Sequence, residues 1–227
     1  MPLDNFNYSV SIDCVIFGYD TTDLKVLLIK RGEAPYLNYW ALPGDLIKEK
    51  ENIDDAVSRV LKDLTGLSNV YMDQVKTFGD VGRHPLGRVF TVAYFSLLKI
   101  EDYQLNPSSF ATEAKWHSVK RIGELAFDHN KIFATCKQEL VNSVKVKPIG
   151  FELLPEAFTL TELQNLYETI LQTTFDTRNF RKKIHSVGLL TETGELQKSV
   201  SHRPAKLYRF DKANYKKLIK SGYNFEI

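Results

Sequence analysis

Residues 45–67 read DLIKEKENIDDAVSRVLKDLTGL. Their pattern decides the first half of the fold. Ile53, Ala56, Val57, Val60, Leu61 and Leu64 recur at i, i+3, i+4 and i+7, the spacing of one apolar helix face. Positions 60 and 64 lie four apart and share that face. A helix around 54–64 following a charged loop is therefore expected. Glu51 and Asp63 stand to either side of the stripe. Two carboxylates alone make a poor cage for Mg²⁺, which wants near-octahedral oxygen ligation.

Just upstream stands Trp40-Ala41-Leu42-Pro43-Gly44. Together the two stretches resemble the W-x-L-P-G lead-in and the loop–helix box of Nudix domains, G-x5-E-x7-R-E-U-x-E-E-x-G-U, where U is a bulky aliphatic. The frame matches at Glu51, Arg59, Leu61, Gly66 and Leu67. It departs at Asp45, where the box opens with Gly, at Val60, where Glu follows the Arg, and at Asp63-Leu64, where a Glu pair stands. The resemblance implies a Nudix-like α/β/α sandwich over roughly residues 8–145. The departures imply a box without its metal carboxylates, hence no catalytic residues, no metal and no cofactor.

The bulk numbers point to one large or two modest globular domains: 227 residues, 43% hydrophobic and 26% charged. No apolar run approaches the roughly 18–20 residues that span a bilayer. MPLDNFNYSV lacks a basic segment before an apolar core, so no signal peptide is expected. Cys14 and Cys136 have no metal-ligand spacing and read as reduced thiols of a cytoplasmic protein. The net charge of +2 conceals an asymmetry. From Asp176 to Lys220 there are twelve Lys and Arg against four Asp and Glu, so the remainder is acidic. Such a division suggests a basic surface for an acidic polymer.

Along the chain, 9–17 alternates Val10, Ile12, Cys14 and Ile16 on one face, as a half-buried strand does. Further strands are expected at 25–31, 70–78, 89–100 and 113–119. A long loop is expected at 32–42, and a helix from Asp128 to about Val144. Pro148, Gly150 and Pro155 mark a boundary, giving domains of 1–147 and 148–227. Thr159-Leu160-Thr161-Glu162 is a capping-box signature. Leu163, Leu166, Tyr167 and Ile170 give the following helix an apolar face. Asp176 can cap a second helix over 177–187, which Gly188 would end. Strand-like residues at 189–192, a turn at Thr193-Gly194 and a strand near 205–210 complete a winged helix-turn-helix pattern: an α/β (α+β) fold followed by a winged helix.

The second helix carries Thr177 at its start, with Arg178, Asn179, Arg181, Lys182, Lys183 and His185 opposite Phe180 and Ile184. Arg and Asn can read guanine and adenine edges, while Lys neutralises phosphate. The bland alternative is a solvated charged face. Ser199–Lys206 (SVSHRPAK) has the composition of a wing tip. There Arg203 could enter a minor groove, flanked by Lys198, His202 and Lys206.

The segments LLPEAFTLTELQNLYETIL, FDTRNFRKKI, GLL and RPAKLYRF, with LAFDH at 125–129, resemble the Nudix-related transcription regulators of the NrtR group. Membership implies a homodimer that holds two-fold, double-stranded operator DNA and senses a small molecule in its Nudix half. The departures in the box make the AraR-type branch, responsive to L-arabinose, the nearest resemblance, and a repressor of sugar utilisation the expected function. The alternatives are an ADP-ribose-sensing regulator of NAD metabolism, or a hydrolase of ADP-ribose or a sugar nucleotide. Effector candidates are Lys30, Tyr36, Trp40, Asp45, Arg83, His84, Arg88 and Tyr94. Carboxylates and aromatic rings among them suit sugar hydroxyls and the apolar sugar face. For Trp40 and Tyr94 core packing is the competing role, and for Arg83, His84 and Arg88 a solvated turn.

Overall fold

The computed structural model describes residues 8–198, 203–222 and 225. It forms two compact units, Met1–Leu140 and Val141–Ile227. The first is built on a seven-stranded sheet. Strands β1 (Ser9–Tyr19), β2 (Leu24–Arg31), β3 (Trp40–Ala41), β4 (Gly44–Leu46), β5 (Asp73–Phe78), β6 (Val89–Lys99) and β7 (Ala111–Ser118) follow in chain order. The spatial path is β3-β2-β1-β6-β5, with β4 also on β1 and β7 on β2. β1 runs parallel to β6 along its whole length, from Ser9↔Val89 to Tyr19↔Lys99, and antiparallel to β2 and β4.

The half-buried reading of β1 needs correction. Val10 is exposed, but every residue from Ser11 to Tyr19 is buried, on both faces of the strand. Ile12, Cys14 and Ile16 meet helix α1 (Ile53–Thr65), and on the other face the Phe17 ring lies 6.0 Å from Phe133 of helix α2 (His129–Val146). A strand covered by helices on two sides has no polar face to alternate with.

α1 buries Ala56, Val57, Val60, Leu61 and Leu64 in that core and stops at Gly66, whose φ of +83° takes the left-handed conformation glycine accepts without strain. Ile53, expected on the stripe, is exposed in the first turn.

The division between units falls inside α2, and an irregular 3₁₀ turn at Pro148–Leu153 follows that helix. The second unit contains α3 (Leu160–Leu171), α4 (Thr177–Val187), β8 (Leu190–Leu196), β9 (Lys206–Phe210) and α5 (Lys212–Lys220). The Thr159–Glu162 capping box is closed in both directions, at 3.1 Å from Glu162 N to Thr159 Oγ1 and 2.7 Å from Thr159 N to Glu162 Oε2. Glu168 Oε1 accepts from Phe175 N at 2.8 Å and so fastens the turn into α4. Asp176 caps α4 through Asn179 N at 2.9 Å, and Gly188 ends it. Phe180, Ile184 and Val187 face inward, with Phe180 5.4 Å from Phe175 and 6.2 Å from Tyr167.

The turn expected at Thr193-Gly194 is instead a bulge inside β8. Gly194 takes φ +78°, the register to β9 shifts between Glu192 and Leu196, and Thr193 Oγ1 donates to Leu207 O at 3.0 Å. The strand therefore continues to Leu196. Residues 199–202 of the expected wing tip, His202 among them, lie outside the described residues. α5 was not legible in the apolar pattern.

Returning an acid to α1 tests its packing. Val60 is completely buried, so Val60→Glu should cost about 3 kcal/mol or more, the penalty of an uncompensated buried charge. An unchanged urea midpoint would contradict this packing.

Candidate functional site

An open cleft of about 210 Å³ lies in the first unit. Its floor is β1 (Ser11, Asp13) with β4 and β6, and its walls come from Arg31, the 33–35 loop, the 83–86 loop, Phe110 and Phe127. Asp13 sits at the bottom because it belongs to the buried strand. The β1–β4 register sets Asp13 against Gly44, and a Cβ at Gly44 would collide with Asp13 Oδ1 and lie 2.7 Å from Ile12 O. Only glycine lets the two strands close there.

Asp13 is buried with incomplete compensation. Arg83 makes a two-pronged bond to Asp128, at 2.6 Å (Nη2–Oδ1) and 3.0 Å (Nε–Oδ2), and donates to Thr91 Oγ1 through Nη1. Its nearest approach to Asp13 is 3.9 Å. His129 Nδ1 accepts Leu42 N–H at 2.9 Å, so the neutral ring carries its proton on Nε2. That nitrogen is 3.6 Å from Asp13 Oδ2, too far for a hydrogen bond. Burial raises the Asp13 carboxyl to about 7 against the pull of Arg83, while Asp128 adds to the rise. Burial, reinforced by Arg83, Arg31 and His84, lowers His129 to about 3.

Arg59 closes the neighbouring corner. It binds Glu51 through Nε at 2.6 Å and Nη2 at 3.0 Å, Asp45 through Nη1 at 2.7 Å, and Leu46 O through Nη2 at 2.9 Å. The Arg59 hydrogen bond holds Glu51 down to about 2. A divalent ion does not fit the residues present. Val60 and Leu64 are core, Glu51 and Asp45 are turned onto a guanidinium, and among the described residues no three His, Cys, Asp or Glu side chains gather as a metal cluster.

Of the eight expected effector residues, Asp45, Arg83 and His84 line the cleft. Tyr36 stands beside it, its ring 4.7 Å from Phe127, and His84 stacks on the same Phe127 ring at 4.9 Å and 13°. The other four are placed elsewhere. Tyr94 is core, with its hydroxyl 3.4 Å from Gln74. Trp40 packs edge-on to His117 at 4.4 Å. Lys30 pairs with Trp40 and Glu113 within the sheet. The Arg88 guanidinium lies over Phe90 at 4.5 Å. Asp45 and Arg83 reach the cleft already bound to Arg59 and Asp128.

Sequence reasoning missed Asp13, Arg31, Phe127 and His129. The signal available for Asp13 was an acid inside an apolar strand. Arg31 is nearly buried between Phe110 and Phe127, at 5.2 and 5.1 Å, and its Nε donates to Pro35 O at 2.8 Å. Its acidic neighbour Glu33 is 3.9 Å away and exposed.

On the second unit, Thr177, Arg178, Asn179, Arg181, Lys182, Lys183 and His185 are all exposed along α4, and no acid lies in its first turn. His185 packs edge-on to Tyr208 at 5.7 Å, which ties the helix to the hairpin. Lys198 and Arg203 are exposed. Lys206 pairs with Glu192 at 2.5 Å, so its charge is partly answered within the hairpin.

The raised Asp13 group has a sign. A carboxyl whose folded pKa exceeds its ordinary value of 3.8 binds its proton more tightly when folded. Its contribution to stability is complete below that ordinary value and is lost as pH rises towards about 7. Asp13→Asn should therefore gain on wild type in urea midpoint between about pH 4 and 7. Parallel pH curves for the two proteins would show the carboxyl to be ionised throughout.

Residues 7–136 match the NUDIX domain, and residues 150–210 match the NrtR DNA-binding winged helix domain. The "ADPR responsive transcriptional repressor NtrR" of Acinetobacter baylyi is 34% identical over 210 residues, covering 91% of this chain and 83% of that protein. The crystal structure of Shewanella oneidensis NrtR complexed with a 27mer DNA superposes with a TM-score of 0.75 at 30% identity, covering 95% of this chain and 97% of that one. The NUDIX domain of the same protein complexed with ADP ribose gives 0.57 at 30% identity, covering 62% of this chain and 93% of that one. A sheet-and-helix unit carrying the NUDIX match, joined to a winged helix with an exposed basic α4, places this chain in the NrtR-type family of Nudix-related transcriptional regulators.

Proposed function

We propose that this chain is a transcriptional repressor whose hold on operator DNA is set by ADP-ribose bound in the Nudix cleft, and that it acts by binding without hydrolysis. The observation that carries the reading is the lining of the cleft. His84 and Phe127 line it as a stacked pair with Tyr36 beside Phe127, and Arg31 lines it with an exposed Glu33 at 3.9 Å as its nearest acid and with Asp45 and Asp13 acting on it from further off. Aromatic rings suit a nucleobase, and a guanidinium suits a phosphate oxygen. The likeness to an ADPR-responsive repressor and to a NUDIX domain complexed with ADP ribose supports the same assignment.

L-arabinose, the effector favoured from the box residues alone, is displaced by this reading. A free sugar needs no metal carboxylates, but a nucleotide held by arginine and aromatic rings needs none either. Hydrolysis would require new metal ligands in place of buried Val60 and Leu64.

α4 is proposed to enter the major groove, with Arg178, Asn179 and Arg181 at base edges and Lys182 and Lys183 at phosphates. Lys198, His202 and Arg203 are proposed for the wing, and the acting species is proposed to be a two-fold dimer. ADP-ribose favours one of two arrangements of the DNA-binding halves and shifts operator affinity by its preference between them.

Saturating ADP-ribose, at about 100 times its dissociation constant, should stabilise the fold by about 2.7 kcal/mol, read as a melting-temperature rise that L-arabinose does not produce. The same ligand should change operator retention in a gel shift. A rise with L-arabinose and none with ADP-ribose would reverse the assignment. Arg181→Ala should weaken operator binding by about 1–3 kcal/mol, more than it weakens binding to unrelated duplex. Equal losses on both duplexes would move Arg181 from base edge to backbone.

A further inference from the structure

α5 begins just after Phe210, the last position in the winged-helix match, and reads KANYKKLIK. Four of its nine residues are Lys and none is acidic. Lys216, Lys217 and Lys220 are exposed, and among the described residues no acid pairs with them. Lys212 alone faces one, Glu152, at 3.7 Å.

This helix is fixed to the end of α4. Asn214 Nδ2 donates to Gly188 O, the carbonyl that ends α4, at 2.9 Å. Asp211 N donates to Leu189 O at 2.8 Å, and Asp211 Oδ1 caps α5 through Asn214 N at 2.8 Å. The Tyr215 ring lies 5.8 Å from Phe210 on β9. α4 is eleven residues, or about 16 Å, long, and a B-form major groove is about 12 Å wide. The start of α5 is thus held close to where α4 would leave the groove, beside the phosphates of its edge.

We propose that α5 is a phosphate-binding element that lengthens the DNA footprint of the winged helix, with Lys216, Lys217 and Lys220 as its contacts. The proposal rests on the DNA-binding reading given above. Lysine is a point charge that neutralises phosphate without reading sequence, so α5 adds affinity equally on every duplex. The competing role for Lys217 and Lys220 is to complement the negative end of their own helix.

The test uses the full chain and a random-sequence duplex of about 30 base pairs, with anisotropy titrations from about 50 to 200 mM KCl. Wild type is compared with Lys216→Gln/Lys217→Gln/Lys220→Gln, with the same three positions changed to Arg, and with Arg178→Ala/Arg181→Ala. Each phosphate contact contributes about 0.9 to the slope of log affinity against log salt, so the Gln triple should lose about 2.7 from that slope and the Arg triple none. A Gln triple with the wild-type slope overturns the proposal, as does an Arg triple that loses binding as the Gln triple does. If the Arg178/Arg181 variant weakens while the Gln triple does not, α5 fails and the α4 reading stands. A wild-type chain that binds no duplex overturns both.

Discussion

Burial of β1 on both faces is the constraint from which the rest of the first unit follows. The strand pairs in parallel with β6 along its length, and its nine residues from Ser11 to Tyr19, buried under α1 on one face and α2 on the other, leave no solvated side for a polar group. Asp13 must therefore be answered from within. Arg83 approaches from the 83–86 loop, His129 from the start of α2, and β4 comes close only because residue 44 is glycine. A buried carboxyl with no close donor titrates high, so the floor of the cleft carries a group poised near neutrality. The chemistry of the cleft is thus a by-product of how its central strand is buried.

A second consequence appears at the Nudix-type box. With Val60 and Leu64 in the apolar stripe, α1 gains core contacts and brings no acid to the sheet at those two positions. The remaining acids, Asp45 and Glu51, are gathered by Arg59, which ties the loop at 45–51 to the helix. A guanidinium thus sits between the two carboxylates, satisfying them from inside the protein. This suits a cleft that binds a ligand through arginine and aromatic rings.

The winged unit was read well from local signals because its signals are local. A capping box, an Asp cap, a glycine stop and an i, i+4, i+7 stripe each act within one helix, and all four are present at the expected residues. Expectations failed where long-range packing overrode a local cue. Thr193-Gly194 has turn chemistry, yet pairing with β9 carries the strand through it as a bulge. Tyr94 and Trp40 have the chemistry of a sugar platform, yet the sheet buries one and sets the other against His117. Arg31 and Asp13 looked like strand residues and proved to line the cleft.

By itself the sequence determined the family, the order of the two domains, the apolar face of α1 and the basic face of α4. Each is a periodic or short-range pattern that needs no partner from elsewhere in the chain. Tertiary structure alone decided which groups share the cleft, because Asp13, Arg31, Arg83 and the Phe127–His129 segment come from four separate places in the chain and meet only when β1 is buried. It likewise decided that Asp45 is bound to Arg59 and that α5 is fastened to the end of α4. Residues far apart in sequence acquire a common electrostatic environment only through packing, and that environment determines what each group can bind.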